Sequence, residues 1–387
     1  MTRMVGPLAA SVLFLLIGAA ACGRTPIQTP AVPTEIRIGV IAPLSGEAPE
    51  IGEATVRAAE LAVNAVNDAG GLQVGDKQYE LVLFVEDGAN LPDTAVTAAR
   101  KLINQDDIVA LIGPQASRSA IPVATVAENA GIPMISPYST NLETTANKQY
   151  VFRVPFVDSF QGAVLAHFAY DELGAETAAV LYDIANEYNR DLAEFFKSAF
   201  VQEGGQIVAF ESYTTGAEVY QTQLARIRDA QPQIIFLPNY VYEVPAQVEQ
   251  IRDMGTKAVI LGSDSWDGTA LAANPAFDGA FFSAHFAPDN AHDLNRRFVN
   301  AFQQAYGQDP NDIAALTYDA FGLLFEAIQK QGQFAPDAIR DGLSQIERFE
   351  GVSGVMTYSA SGDPDKSVII MQIKDGTLQF YRAVRPE

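Results

Sequence analysis

The feature that most constrains this chain is an alternation of strand and helix patterns that runs twice in succession from residue 36 onward. Residues 36–44, IRIGVIAPL, form a short apolar run with β-branched members, closed by Ser45 and Gly46. Such a run suits a strand covered on both faces. The period then changes. Ala58, Leu61, Ala62, Ala65 and Val66 share one face of a helix, Arg57, Glu60, Asn64 and Asn67 take the other, and Gly70-Gly71 is the stop. Strands at 79–86, 108–112 and 132–135 alternate with helices at 95–103 and 119–129. After Phe152 the rhythm restarts, with strands at 178–182, 207–210, 234–237 and 258–262 and helices at 189–202, 220–230 and 244–254. This pattern predicts an α/β fold with two successive parallel sheets, each flanked by helices on both faces. Beyond residue 284 three helices are expected, at 292–306, 313–331 and 336–344. An antiparallel pair, 354–358 with 368–374, then closes the chain, followed by a strand at 377–383 after a Lys-Asp-Gly turn.

The N-terminus follows different rules. Residues 1–21 have a basic start, a short apolar run from Val5 to Ile17, and small residues up to Ala21. That is the pattern of a secretory leader, too short to be a comfortable membrane span. The small residues preceding Cys22, the chain's single cysteine, resemble a bacterial lipobox, although Ala19 stands where Leu or Val is usual. The resemblance implies lipidation of Cys22 and an exported, membrane-anchored protein facing the periplasm or cell exterior. Ordinary leader cleavage nearby is the alternative. Residues 22–34, rich in Pro and Thr, form an extended tether. The net charge of −22 repels nucleic acid and anionic lipid head groups, so no polyanionic partner is expected.

From residue 35 to its end the chain resembles the branched-chain (Leu/Ile/Val) amino acid binding proteins of ABC importers. The landmarks are IGVIAPLSG (38–46), VNDAGGL (66–72), VEDG (85–88), LIGPQAS (111–117), GIPMISPYSTNLETT (131–145), FRVPFVDSFQG (152–162) and LTYDA (316–320). The resemblance implies a type I periplasmic-binding-protein fold. Two Rossmann-like lobes are joined by a three-segment hinge and close on a small ligand held between them. Crossings are then expected near Val157, Ala284 and Gly351. The first lobe becomes 35–157 plus 285–351, and the second 158–284 plus 352–387. A monomer suffices for one-to-one capture, and the implied partner is an ABC permease.

Candidate site residues sit where strands end. Gln115, Ala116 and Ser117 lie between a strand and a helix, where free amides and the helix dipole attract an anion. Ser117 can donate to a carboxylate or merely cap the helix. Tyr138, Ser139 and Thr140 form a second such loop. The resemblance implies that the Tyr138 carbonyl accepts from a ligand ammonium and that Thr140 contacts both charged ends. A locally satisfied turn is the plain alternative. Asp264, after a strand of the second half, aligns with the acid that neutralises the ammonium, without which burial of that charge would be costly. Tyr188 and Tyr240 match aromatic cleft positions, and Trp266 either walls the pocket or packs in the core. Gln115 stands where branched-chain binders have an apolar residue, and Ile51 where they often have an aromatic. The side-chain pocket is therefore not expected to be the standard leucine pocket, and an amide, another amino acid or an organic acid fits as well.

Catalysis is not expected. Only His167, His285 and His292 are available, and no HExxH, nucleophile elbow or phosphate-binding Gly loop is present. No metal or cofactor is expected either. The competing reading is a lipoprotein sensor or regulator of a cell-envelope enzyme, which would have no reason to assemble Ser117, Thr140 and Asp264 around one cleft.

Overall fold

The computed structural model describes residues 34–288, 292–358 and 362–386. The expected leader, Cys22 and the tether as far as residue 33 lie outside them.

The first sheet is built around β1 (Glu35–Ala42), whose residues from Ile38 to Ala42 are all buried, as its unbroken apolar run requires. Around it come α1 (Pro49–Asp68), β2 (Leu72–Val74), β3 (Lys77–Asp87), α2 (Pro92–Gln105), β4 (Ala110–Ile112), α3 (Ser117–Ala130), β5 (Met134–Ser136) and β6 (Val151–Arg153). The strand order is β2-β3-β1-β4-β5-β6, parallel except for the β2–β3 hairpin. Ala65 departs from its expected place and is exposed. The fully buried stripe of α1 ends at Val63, and in the last turn Val66 packs against the core only in part while Asn67 bonds the Leu81 backbone of β3.

The second sheet follows through α4 (Asp158–His167), β7 (Thr177–Asp183), α5 (Glu187–Gln202), β8 (Gln206–Tyr213), α6 (Gln221–Ala230), β9 (Ile234–Leu237), α7 (Val244–Asp253), β10 (Val259–Gly262), α8 (Gly268–Ala272) and β11 (Phe281–Ala284). Helices α9 (Asp293–Tyr306), α10 (Asp312–Gln331) and α11 (Pro336–Ser344) come next. The last two return to the first sheet. Leu316, Phe321, Leu324 and Ile339 share one core with Ile36, Ile38 and Val40. Each such side chain contributes about 1.5–3 kcal/mol by leaving water, so this long-range packing outweighs the distance along the chain.

The chain ends with β12 (Arg348–Gly351), β13 (Gly354–Tyr358), β14 (Pro364–Asp365), β15 (Val368–Lys374) and β16 (Thr377–Val384). Here the structure corrects the expected pairing. β13 does not pair with β15; it pairs with β12 and β14 in a small three-stranded sheet. β15 instead joins β11 and β16, giving the order β16-β15-β11-β10-β9-β7-β8. The β12–β13 hairpin closes a very short loop, which costs far less chain entropy than a longer closure. Buried Asp319 accepts from the Val352 and Ser353 amides at 2.7 and 2.9 Å and fixes that turn.

Candidate functional site

The loops at the carboxyl ends of β4 and β5 face the loops after β9 and β10. β4 ends in Gly113, whose φ is +92°, and a Cβ there would meet the Ile41 carbonyl oxygen at 2.3 Å. Only glycine lets the chain turn this sharply into α3. Ala116 is the N-cap of α3 and makes no side-chain capping bond. Ser117 is the first helical residue, and its hydroxyl lies 2.8 Å from that of Ser139. Helix capping therefore does not explain Ser117. The first amides of α3 have no acceptor within the helix and leave positive potential at this end.

In the second loop, the Ser139 carbonyl accepts from Arg153 at 2.9 Å, and the Ser139 hydroxyl is 2.7 Å from that of Thr144. Thr140 is buried, and its hydroxyl has no hydrogen-bond partner among the described residues. Tyr138 crosses the cleft, its hydroxyl donating to the Asp264 carbonyl.

Asp264 is 1% exposed and collects donors from three elements. Tyr188 Oη lies 2.7 Å from Oδ1, Gln161 Nε2 donates to the same oxygen, and His285 Nε2 lies 3.1 Å from Oδ2. Burial lowers the His285 pKa to about 4, against the opposing pull of Asp264. The ring is thus neutral at pH 7, with its proton on Nε2 toward Asp264, and it stacks on Phe156 at 3.8 Å. Tyr240 lies between Tyr188 and Tyr242, at 5.3 and 5.4 Å.

Gln115, Ala116, Ser117, Tyr138, Tyr188, Tyr240 and Asp264, joined by Ser265, line one narrow pocket with a free interior of about 10 Å³. Ser139 and Thr140 stand behind it: Ser139 supports Ser117, and the Thr140 carbonyl accepts from the Asp158 amide at 3.0 Å. Trp266 does both things foreseen for it. Its ring packs in the second-sheet core beside Phe277 and Phe282, and its edge lines a neighbouring compartment. Ile51 and Gln115 line a further small pocket beside the first, with a free interior of about 20 Å³. The Gln115 amide nitrogen donates to Thr55 at 2.8 Å, while its oxygen has no partner among the described residues.

Three contributors escaped the sequence reasoning: Asp158, Gln161 and His285. Asp158 opens α4 fully buried, and neither carboxyl oxygen has a partner among the described residues. Burial first, and the charge of Asp264 second, push its pKa well above the ordinary range. The signal was available in FRVPFVDSFQG, where Asp158 and Gln161 are three apart and share a helical face. His285 carried none, because its role depends on where β11 ends.

Two α/β sheets whose strand-end loops meet across such a cleft define a bilobal solute-binding protein of the type I periplasmic class. The chain belongs to the periplasmic binding protein family, whose model matches residues 35–377. It is 28% identical over 335 residues to a Leu/Ile/Val-binding protein homolog of Brucella melitensis, covering 85% of this chain and 88% of that protein. It is 27% identical over 334 residues to the leucine-, isoleucine-, valine-, threonine- and alanine-binding protein of Pseudomonas aeruginosa, covering 85% and 87%. The fold superposes on a leucine-binding protein of Thermotoga maritima with a TM-score of 0.85 and 29% identity, covering 91% and 99% of the two chains. A branched-chain amino acid transporter substrate-binding protein of Streptococcus pneumoniae, solved with isoleucine, gives 0.84 and 27%, covering 91% and 100%. Membership implies an extracytoplasmic location. Among the described residues no helix is long and apolar enough to cross a membrane.

Proposed function

We propose that the chain is the extracytoplasmic substrate-binding protein of an ABC importer and captures an amino acid, or a similar small carboxylate-bearing solute, between its two sheets. One observation carries this: among the described residues the buried Thr140 hydroxyl and Asp158 carboxyl make no well-formed hydrogen bond, although Thr140 stands close enough to lower the Asp158 pKa. Buried polar groups are nearly always paired, and leaving one unpaired costs about 1–3 kcal/mol. A zwitterion accounts for them. Its carboxylate takes the α3 amides, Ser117 and Thr140, and its ammonium takes Asp264, Asp158 and the Tyr138 carbonyl. Micromolar affinity needs only about −8 kcal/mol.

Capture then draws the lobes together, and the closed form docks on the permease. The lobes are 35–157 plus 285–351 and 158–284 plus 352–387. One amendment is supported by Met356 of β13, which packs in the first-sheet core, so the third crossing lies between Tyr358 and Val368. The monomer is anchored through a lipid on Cys22, after loss of residues 1–21, with 22–34 as its tether. Calorimetry of the full chain against the common amino acids, amides and aromatic acids tests the reading. Saturable one-to-one binding of at least one is expected; heatless titrations with all of them, and no rise in melting temperature, would refute it.

A further inference from the structure

Beyond Tyr138, Tyr240 and Ser265, which it shares with the narrow pocket around Asp264, the cleft opens into a compartment with a free interior of about 260 Å³. The walls are aromatic: Trp266, Phe282 and Phe286 stand beside Tyr240 and Tyr242. Trp266 is fixed, because its indole nitrogen donates to the Asn239 carbonyl at 3.1 Å and its ring stacks near Phe282.

The charged lining is of one sign. Asp267 and Asp312 line the compartment with Glu50, and among the described residues no Lys or Arg does. Asp267 Oδ1 accepts from the Thr269 and Ala270 amides, and its Oδ2 lies 3.4 Å from Asn311 Nδ2. Asp312 Oδ2 accepts from the His285 amide at 2.6 Å. Buried Lys366 lies outside the lining and donates to Ser353 at 2.6 Å. Burial pushes the Asp312 carboxyl up to about 7, against the opposing effects of the His285 amide and Lys366. An aliphatic side chain filling this space would strip water from Asp312 and offer it nothing in return. A cation would meet the Asp267 carboxylate, draw the proton from Asp312, and lie among the aromatic side chains of the lining.

We propose that this compartment receives a positively charged side-chain end, so that the solute is a basic amino acid. The proposal rests on the amino-acid reading above and adds the chemistry of the side chain.

Calorimetry with arginine and with citrulline, its neutral near-isostere, separates the two levels, with leucine as a third ligand and the full chain held in detergent. Arginine is expected to bind at least about ten-fold more tightly than citrulline, which corresponds to about 1.4 kcal/mol. In the Asp267→Asn/Asp312→Asn double variant, Asn still caps α8 and still accepts from the His285 amide. That variant should bring arginine and citrulline within about two-fold of each other. Citrulline or leucine binding the wild type as tightly as arginine overturns the cationic side chain but leaves the amino-acid reading intact. An arginine preference that survives the double variant overturns the assignment to these two acids. Should the double variant not fold, Asp267→Asn alone must lower the arginine-to-citrulline ratio, and an unchanged ratio overturns the role of Asp267. If none of the three ligands binds, both readings fall together.

Discussion

The two rims of the cleft are made of different chemistry. The rim from the first sheet carries no acid: it offers the hydroxyls of Ser117, Ser139 and Thr140 and the amides that open α3, backed by the permanently charged Arg153, which holds the Ser139 carbonyl. The rim from the second sheet and the crossings is acidic, with Asp264 and Asp158 set among Gln161, Tyr188 and neutral His285. Fixed dipoles have the same strength at any pH near neutrality, whereas carboxylates must be ionised before they attract a cation. The contrast teaches that an anionic end can be held without titration, while holding a cationic end is coupled to protons. Asp158 shows the coupling. Burial and Asp264 raise its pKa in the free protein, and a ligand ammonium beside it would lower it again.

The largest effect is expected from removing the acid that collects most donors. Asp264→Ala should weaken amino acid binding by about 3–5 kcal/mol, the scale of breaking a buried charge pair. Asp264→Asn, which keeps the side-chain shape, should lose somewhat less. Wild-type affinity in both variants would place the ammonium elsewhere and erase the contrast between the rims.

A smaller effect, of different character, is expected at Asp158. The pKa of this acid is raised in the free protein and is lowered by a bound ammonium, so binding favours release of its proton. Affinity for an ammonium ligand should therefore strengthen as pH rises through the Asp158 pKa. Calorimetry in buffers of different ionisation enthalpy should detect the released proton, and Asp158→Asn should abolish both signals. Proton release that persists in the variant would transfer the coupling to another group.

The smallest effect belongs to the rim without an acid. Ser117→Ala removes one hydrogen bond, worth about 0.5–1.5 kcal/mol. Its loss of affinity should be the same at about pH 5.5 and about pH 8, on either side of the ordinary histidine pKa of about 6.5. A pH-dependent loss would mean that the hydroxyl acts through Asp158 rather than on the ligand.

Much of this was legible from local pattern. The loops 113–117 and 137–140 and the position of Asp264 each follow a short buried strand, and a ligand-facing strand end is a property of the α/β unit itself. Gln115 and Ile51 were legible as departures, and both line the cavity beside the head-group pocket. What Ser117 does was not legible, because a serine at a helix start caps in most proteins. Its pairing with Ser139, 22 residues away, is a tertiary fact. The Trp266 alternatives likewise turned out not to be exclusive once the ring could be seen between core and cavity.

By itself the sequence determined the alternation of elements and their approximate ends. Backbone period and side-chain sterics act over a few residues and are written in those residues. Only the tertiary structure decided that β13 pairs with β12, that α10 and α11 return to the first core, and that Asp158 and His285 converge on Asp264. The return of α10 and α11 to the first core and the approach of Asp158 to Asp264 turn on burial and desolvation summed over segments more than a hundred residues apart, while the β13 pairing and the place of His285 depend on which neighbouring elements those segments leave free.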